Sequence, residues 1–310
     1  MNSDKKFFSK IGTNYLIFGI SALILQIIAV TIIGAANPNL INDFNILVIL
    51  TAFCNYILPF PIFYYLMKKI KVIKLEKQKL SLKTFLIYIA TTFTLMWIGN
   101  IIGLIITAAI GTVTQTDIAN PVQELINSSE IWLNLALISI IGPIFEELFF
   151  RKLLIDRSIK YGAKVSIILS ATIFAFFHGN LNQFFYAFLI GGFFAYVYIK
   201  TGKIIYPIIL HIIVNLMGSI VSLFVVESAD RIVSGTYGTF DVSFVVIYVI
   251  IILVCLLIGL ITLSRYKKAK FNGAKTEIAL RQPWKTMILN YGMIFFMAFF
   301  IFQIVYQLLA

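Results

Sequence analysis

The hydrophobic pattern of the chain predicts a protein built almost entirely of membrane helices. Long apolar runs alternate with short polar or charged segments, and most runs approach the roughly 20 residues that cross a bilayer as a helix. Nine runs are predicted to be membrane helices: Asn14–Ala36, Phe44–Met67, Thr84–Gly111, Ile131–Phe150, Val165–His178, Phe184–Ile199, Ile204–Val226, Val242–Leu263 and Met287–Leu309. The predicted fold class is therefore all-α, a polytopic transmembrane helix bundle with about nine membrane helices.

The composition supports this fold class. Of the 310 residues, 60% are hydrophobic and only 12% are charged, whereas soluble domains carry about 25% charged residues. The net charge of +12 would suggest nucleic-acid binding in a soluble protein. In a membrane protein it is better explained by basic loops on the cytoplasmic side. We therefore expect the lipid bilayer, and no nucleic acid, as a partner.

The basic residues fall on alternate loops. Of the 25 basic residues, all but one lie in the N-terminal segment or in the loops after the second, fourth, sixth and eighth predicted helices. The exception is Arg231. Because Lys and Arg accumulate on the cytoplasmic side, we expect a multi-pass protein of the cell membrane. Its N-terminus is predicted to be cytoplasmic and its C-terminus outside. Kinks are expected where proline removes a backbone donor, at Pro59, Pro61, Pro143 and Pro207.

Two adjacent carboxylates lie inside the fourth apolar run. Glu147 and Arg151 are four residues apart, so on a helix they share a face and can pair. Glu146 lies on a different face of the helix and is therefore free to interact with other groups. A carboxylate inside a membrane is costly, and two of them are tolerated only with partners or beside a wet cavity. The alternative interpretation is that both acids lie at the membrane boundary and reach toward lipid headgroups. Glu146 is expected about one turn from the cytoplasmic end of its helix.

The two histidines of the chain are also inside apolar runs. His178 ends the fifth run, four residues after Phe174, and a bond to a backbone carbonyl at the helix end would explain it taken alone. His211 and Asn215 share a helix face in the seventh run, where a polar contact between helices is the alternative. The short fifth and sixth runs predict a chain break within the membrane, which must line a cavity or be buried. Asn100 is a further polar residue that could line this cavity.

These motifs occur in the order of a known family. Glu-Glu-x-x-x-Arg at 146–151, Phe-x-x-x-His at 174–178 and His-x-x-x-Asn at 211–215 resemble the CPBP intramembrane proteases. This group is also called the CAAX protease and bacteriocin-processing, or Abi, family, and includes the type II CAAX prenyl endopeptidases. The resemblance covers about residues 131–224 and implies Glu146, His178, His211 and Asn215 as catalytic residues.

The same residues suit peptide hydrolysis, which needs an activated water and donors for the developing oxyanion. Glu146 and His178 can flank the water, with Glu146 as general base, while His211 and Asn215 stabilise the oxyanion. Glu147, Arg151 and Phe174 would support them. A second scheme uses zinc, with Glu146, His178 and His211 as its three ligands and an open position for water. The residues leave both schemes open, so the cofactor is unknown with zinc as the candidate.

We divide the sequence into N-terminal membrane helices (1–130), a protease core (131–226) and C-terminal membrane helices (227–310). The predicted function is an intramembrane endopeptidase that hydrolyses a peptide bond near the cytoplasmic membrane face, with its active site open to that side. Its partner would be a membrane-associated peptide or protein substrate. A bacteriocin self-immunity or regulatory membrane protein without hydrolysis is the alternative. A transporter is disfavoured because no second half mirrors the first.

Overall fold

The computed structural model describes residues 3–115, 118, 120–266 and 278–309, and every regular element among them is a helix. The helices in chain order are α1 (Ser3–Ala36), α2 (Phe44–Lys68), α3 (Leu82–Thr114), α4 (Pro121–Ser128), α5 (Ile131–Tyr161), α6 (Ala163–Phe177), α7 (Leu181–Thr201), α8 (Ile205–Val233), α9 (Thr239–Tyr266), α10 (Pro283–Ile288) and α11 (Tyr291–Leu309). A short 3-10 turn, Pro38–Asn42, joins α1 to α2.

Eight of the described helices are long and apolar enough to cross a membrane, judged by length and composition. The one predicted run outside these eight, the fifth (Val165–His178), is present as α6, an apolar helix of only 15 residues. The prediction of an all-α bundle with about nine membrane helices is therefore close to the structure. As expected, α6 ends at a break just before α7, with Gly179 in a left-handed conformation at φ 65°.

The fourth predicted helix is longer than its apolar run. It was expected to end at Phe150, but α5 continues to Tyr161, so Glu146 lies 15 residues from its end instead of one turn. At a rise of about 1.5 Å per residue this is about 22 Å, which matches the depth of His178 at the end of α6. The continuation is possible because its charged residues find partners: Tyr198 donates to Asp156 at 2.7 Å, and Arg157 donates to the Met67 carbonyl at 2.8 Å.

Prolines affect the helices unequally. Pro59 lies at a break in α2, between Ile57 and Phe60. Pro143 is the second residue of a short α-helical stretch of α5, Gly142–Glu147, that is flanked by wider π-helical turns. The kink predicted at Pro207 is absent, because α8 begins at Ile205 and a proline in the first turn removes no helical hydrogen bond.

The basic segments meet at one end of the bundle. The backbone N–H of Ile73 bonds the Asp156 carbonyl at 2.6 Å, and that of Gln78 bonds the Thr201 carbonyl at 2.7 Å. Tyr161 donates to Asp4 near the N-terminus at 3.1 Å. We call this the basic end. Lys267, Lys268, Lys270 and Lys275 lie outside the described residues.

Helices α1 and α11 run parallel. A Cβ added at Gly12 would lie 2.5 Å from the Gly292 backbone, and one at Gly19 would lie 2.8 Å from the Phe300 ring. The start of α1 and the end of α11 are therefore at opposite ends of the bundle. Which compartment each end faces stays a prediction from the charge pattern.

Candidate active site

The two adjacent glutamates of α5 have different surroundings. Glu147 is fully buried, whereas the Glu146 side chain keeps 17% of its surface exposed. Glu147 Oε2 lies 3.1 Å from Arg151 Nε, which confirms the predicted pair. Glu146 instead lines a cavity. Because neighbouring residues on a helix are rotated by about 100°, one acid supports the site from behind while the other faces it.

The Arg151 guanidinium has no exposed surface. Its carbon lies 4.3 Å from the centroid of the Phe174 ring and 5.6 Å from that of Phe194. Its N–H groups make no aligned hydrogen bond within the described part of the chain, so the contact with Glu147 is a close ion pair without hydrogen-bond alignment. A buried charge without its partner is strongly destabilising. Arg151 therefore depends on the Glu147 carboxylate and the two ring faces.

His211 lies between the two glutamates. Its Nδ1 is 2.9 Å from Glu147 Oε1, and its Nε2 is 3.6 Å from Glu146 Oε2. An ionised carboxylate can only accept, so Nδ1 carries a proton and donates to Glu147. Glu147 thus holds both Arg151 and His211, whereas the spacing along the sequence predicted only the first contact. This bond leaves Nε2 of His211 directed toward Glu146.

His178 follows the last turn of α6. Its Nδ1 lies 2.7 Å from the Phe174 carbonyl oxygen, and since a carbonyl only accepts, Nδ1 is the donor. This is the helix-end bond that was considered as an alternative explanation of His178. It does not occupy the whole ring, because His178 also lines the cavity. Nε2 of the neutral ring is then an acceptor, as a base near water requires.

Asn215 lies one helical turn beyond His211 and lines the same cavity. Its Nδ2 donates to the Ile138 carbonyl at 2.9 Å, which fixes the amide against α5. An amide nitrogen carries two N–H groups, so one more is available to a ligand. This is the donor that the predicted oxyanion role of Asn215 needs.

Tyr56 belongs to the site and was missed by the sequence analysis. Its hydroxyl donates to Glu146 Oε1 at 2.7 Å, and its ring stacks on Phe145 with centroids 5.8 Å apart. Tyr56 lies in a π-helical turn of α2, just before the break at Pro59. Nothing in the sequence links it to a glutamate 90 residues away.

One cavity of about 580 Å³ brings the predicted residues together. Glu146, His178, His211 and Asn215 all line it, together with Phe174, while Glu147 and Arg151 lie behind its wall. Asn100 lines it, as was considered from the sequence. Most of the other polar lining consists of amide side chains: Gln26, Asn55, Asn120, Gln123, Asn180, Asn182, Gln183, Gln303 and Gln307.

The cavity extends from Glu146 toward α4, where Gln123 and Ile126 line it. Helix α4 follows the far end of α3, so this direction is away from the basic end. From the sequence, an opening toward the basic, cytoplasmic side was expected. The difference arises because α5 continues past Glu146 and fills the basic end with side chains such as Leu154 and Ile159, both fully buried.

The zinc scheme requires Glu146, His178 and His211 to surround one point. Within the described residues, no three His, Cys, Asp or Glu side chains are grouped closely enough to hold a metal ion. Nδ1 of each histidine is bonded, to Phe174 or to Glu147, which leaves Nε2 of each ring as the nitrogen that could bind a metal. The three side chains as placed are nevertheless not grouped as a ligand set.

Comparison with known proteins bears on the central part of the chain. Residues 128–217 match the profile of a family described as type II CAAX prenyl endopeptidase Rce1-like. The match includes all three motifs and confirms the resemblance inferred from them. No curated protein and no solved structure matches the chain.

Proposed function

We propose that this protein is an intramembrane endopeptidase of the cell membrane that hydrolyses a peptide bond with a water activated by Glu146 and His178. The observation that carries the proposal is the single cavity shared by Glu146, His178, His211 and Asn215. These residues lie in the segment that matches an endopeptidase family. The substrate would be a membrane-associated peptide or protein.

In the first step, water attacks the carbonyl carbon of the scissile bond and its proton passes to the Glu146 carboxylate. His178 Nε2 accepts from the same water and orients it. Tyr56, bonded to Glu146 Oε1 at 2.7 Å, leaves Oε2 to take the proton. In the second step Glu146 returns this proton to the leaving nitrogen. A positioned general base contributes about 10²–10⁴ in rate.

The oxyanion of the tetrahedral intermediate would be stabilised by His211 and Asn215. Since His211 donates through Nδ1 to Glu147, its Nε2 carries a proton only in the imidazolium form. That form would donate to the oxyanion beside the second N–H of Asn215 Nδ2. Each such donor is typically worth about 10²–10³ in rate.

The direction of the cavity changes the proposed side of cleavage. Its extension toward α4 supports access from the end opposite the basic segments. If those segments are cytoplasmic, as the charge pattern predicts, the substrate approaches from outside. We therefore propose cleavage deep within the bundle with access from the outer side, in place of the cytoplasmic face.

The test compares cells that express the wild-type chain with cells that express Glu146→Gln. New peptide termini in membrane and secreted fractions are identified by mass spectrometry. We expect termini that depend on Glu146 while both proteins accumulate equally in the membrane. An equal set of termini in both strains would overturn the proposal. A protective or regulatory effect retained by Glu146→Gln would instead favour the non-enzymatic alternative.

A further inference from the structure

Three amide side chains line the catalytic cavity from helices outside the segment that matches the endopeptidase family. They are Asn55 of α2, Asn100 of α3 and Gln303 of α11. The matching segment covers only residues 128–217. Nothing in the proposed catalytic cycle uses these three amides, so their presence in the cavity requires another explanation.

Two of the amides lie beside catalytic groups. Asn55 directly precedes Tyr56, whose hydroxyl bonds Glu146 at 2.7 Å. The Gln303 Oε1 atom lies 3.4 Å from the position that a Cβ at Gly179 would occupy, and Gly179 follows His178. Asn55 is thus adjacent in the chain to the residue that bonds Glu146, and the Gln303 amide lies close to the backbone that follows His178.

Asn100 is fixed by the packing of α3 on α7. A Cβ added to the preceding residue, Gly99, would lie 2.3 Å from the Tyr186 Cα, so the two backbones are in direct contact there. The nearby amides of α7 are already bonded, Asn182 to Thr107 at 3.0 Å and Gln183 to Tyr186 at 2.6 Å. The backbone contact thus holds Asn100 in the cavity wall, near the Asn182 and Gln183 side chains, which already have hydrogen-bond partners.

Asn55, Asn100 and Gln303 make no side-chain hydrogen bond to any described residue, although each is partly buried. A buried polar group that lacks a partner is costly, and inside a membrane it is tolerated where it lines a cavity. An amide offers both donors and an acceptor. This combination matches the N–H and C=O groups of a peptide main chain.

We propose that Asn55, Asn100 and Gln303 form a subsite that binds the main chain of an extended, uncharged substrate segment. The proposal rests on the proposed endopeptidase function. An unwound segment at membrane depth must have its peptide groups satisfied by the protein, and three amides from three helices can do this independently of its side chains. Glu146 is the one acidic residue that lines the cavity among the described residues, and no Lys or Arg does, so nothing there favours a charged segment.

The test measures equilibrium binding of a capped fluorescent decapeptide of Ala, Ser and Leu to purified Glu146→Gln protein in detergent. Asn55→Leu, Asn100→Leu and Gln303→Met remove the amides at similar volume. One neutral hydrogen bond contributes about 0.5–1.5 kcal/mol, so each change should weaken binding about two- to tenfold. The triple variant should lose the product of these factors. Asn39→Leu, which changes an exposed amide between α1 and α2 outside the cavity, is the matched control.

A second peptide with alternate backbone nitrogens methylated lacks half of the main-chain donors. It should bind the otherwise unmodified Glu146→Gln protein weakly and be affected little by the amide substitutions. Equal binding of both peptides, absence of saturable binding, or a triple variant that binds as tightly as the control would overturn the subsite. Binding does not require hydrolysis. Amide-dependent binding without cleavage by the wild-type protein would therefore contradict the endopeptidase function alone.

Discussion

Replacing Glu147 by glutamine should destabilise the protein more than any other single change at the site. The substitution keeps the shape of the side chain and an oxygen that can accept from His211. It removes the charge that lies 3.1 Å from Arg151. Arg151 has no exposed surface, so its charge cannot be solvated by water once the carboxylate is gone.

The loss of free energy of unfolding depends on which contacts the remaining member of the ion pair keeps. Stranding one member of a buried ion pair costs about 3–5 kcal/mol, which is the loss expected for Glu147→Gln. Arg151→Met should cost less, about 1–3 kcal/mol, because Glu147 keeps the His211 bond at 2.9 Å. In the double variant no charge is stranded. Adding Arg151→Met to Glu147→Gln should therefore raise the free energy of unfolding, which requires a coupling energy larger than the cost of Arg151→Met alone.

Unfolding can be followed in mixed micelles of rising SDS content through the reactivity of the Cys54 thiol, in a Cys255→Ala background. Cys54 is 1% exposed in the folded chain, so its labelling reports unfolding. Glu146→Gln is the control and should change stability by about 1 kcal/mol or less, since the Tyr56 hydroxyl can still donate to it. A double variant less stable than Glu147→Gln alone would refute the account of a stranded charge.

The remaining predictions concern the site, the packing, the cofactor and the topology. Tyr56→Phe should lower kcat about 10- to 100-fold, as expected for one hydrogen bond to the Glu146 carboxylate; full activity would show that this bond is not needed for catalysis. Gly99→Ala should lower the free energy of unfolding by about 1–3 kcal/mol, because its Cβ would lie 2.3 Å from the Tyr186 Cα, and a neutral result would contradict this packing. Chelator treatment should leave activity intact, whereas one zinc per chain by elemental analysis, with activity restored by zinc, would reverse the metal-free scheme. A reporter fused at Lys74 should be cytoplasmic and one at the C-terminus outside; the opposite result would invert the topology and the proposed side of access.

Local spacing was enough to predict the parts of the site that lie on one helix. Glu147 and Arg151 are one turn apart and pair as expected. The bond from His178 to Phe174 also spans one turn. Such contacts depend on helix geometry alone, which the apolar runs already indicate.

Contacts between helices could not be predicted in the same way. The bonds of Glu146 to Tyr56 and of Glu147 to His211 cross 90 and 64 residues, and no periodicity in the chain encodes them. The length of α5 was underestimated for a related reason. Its last turns contain Asp156 and Arg157, which are typical of a solvated loop, yet both are buried through hydrogen bonds to other helices. The expectation that the active site opens toward the basic end rested on the same placement of Glu146, one turn from the end of its helix.

Phe174 explains how the three motifs depend on one another. Its carbonyl is among the last of α6, where helical partners run out, and it accepts from His178. Its ring face contacts the Arg151 guanidinium, and the ring lies nearly perpendicular to that of His211 with centroids 5.8 Å apart. The hydrogen bond from His178 uses the Phe174 backbone and requires only that α6 end there. The contacts with Arg151 and His211 require an aromatic side chain. The Phe-x-x-x-His spacing therefore orients His178 through the Phe174 main chain. The Phe174 side chain supports the Glu147–Arg151 ion pair, and Glu147 in turn holds His211.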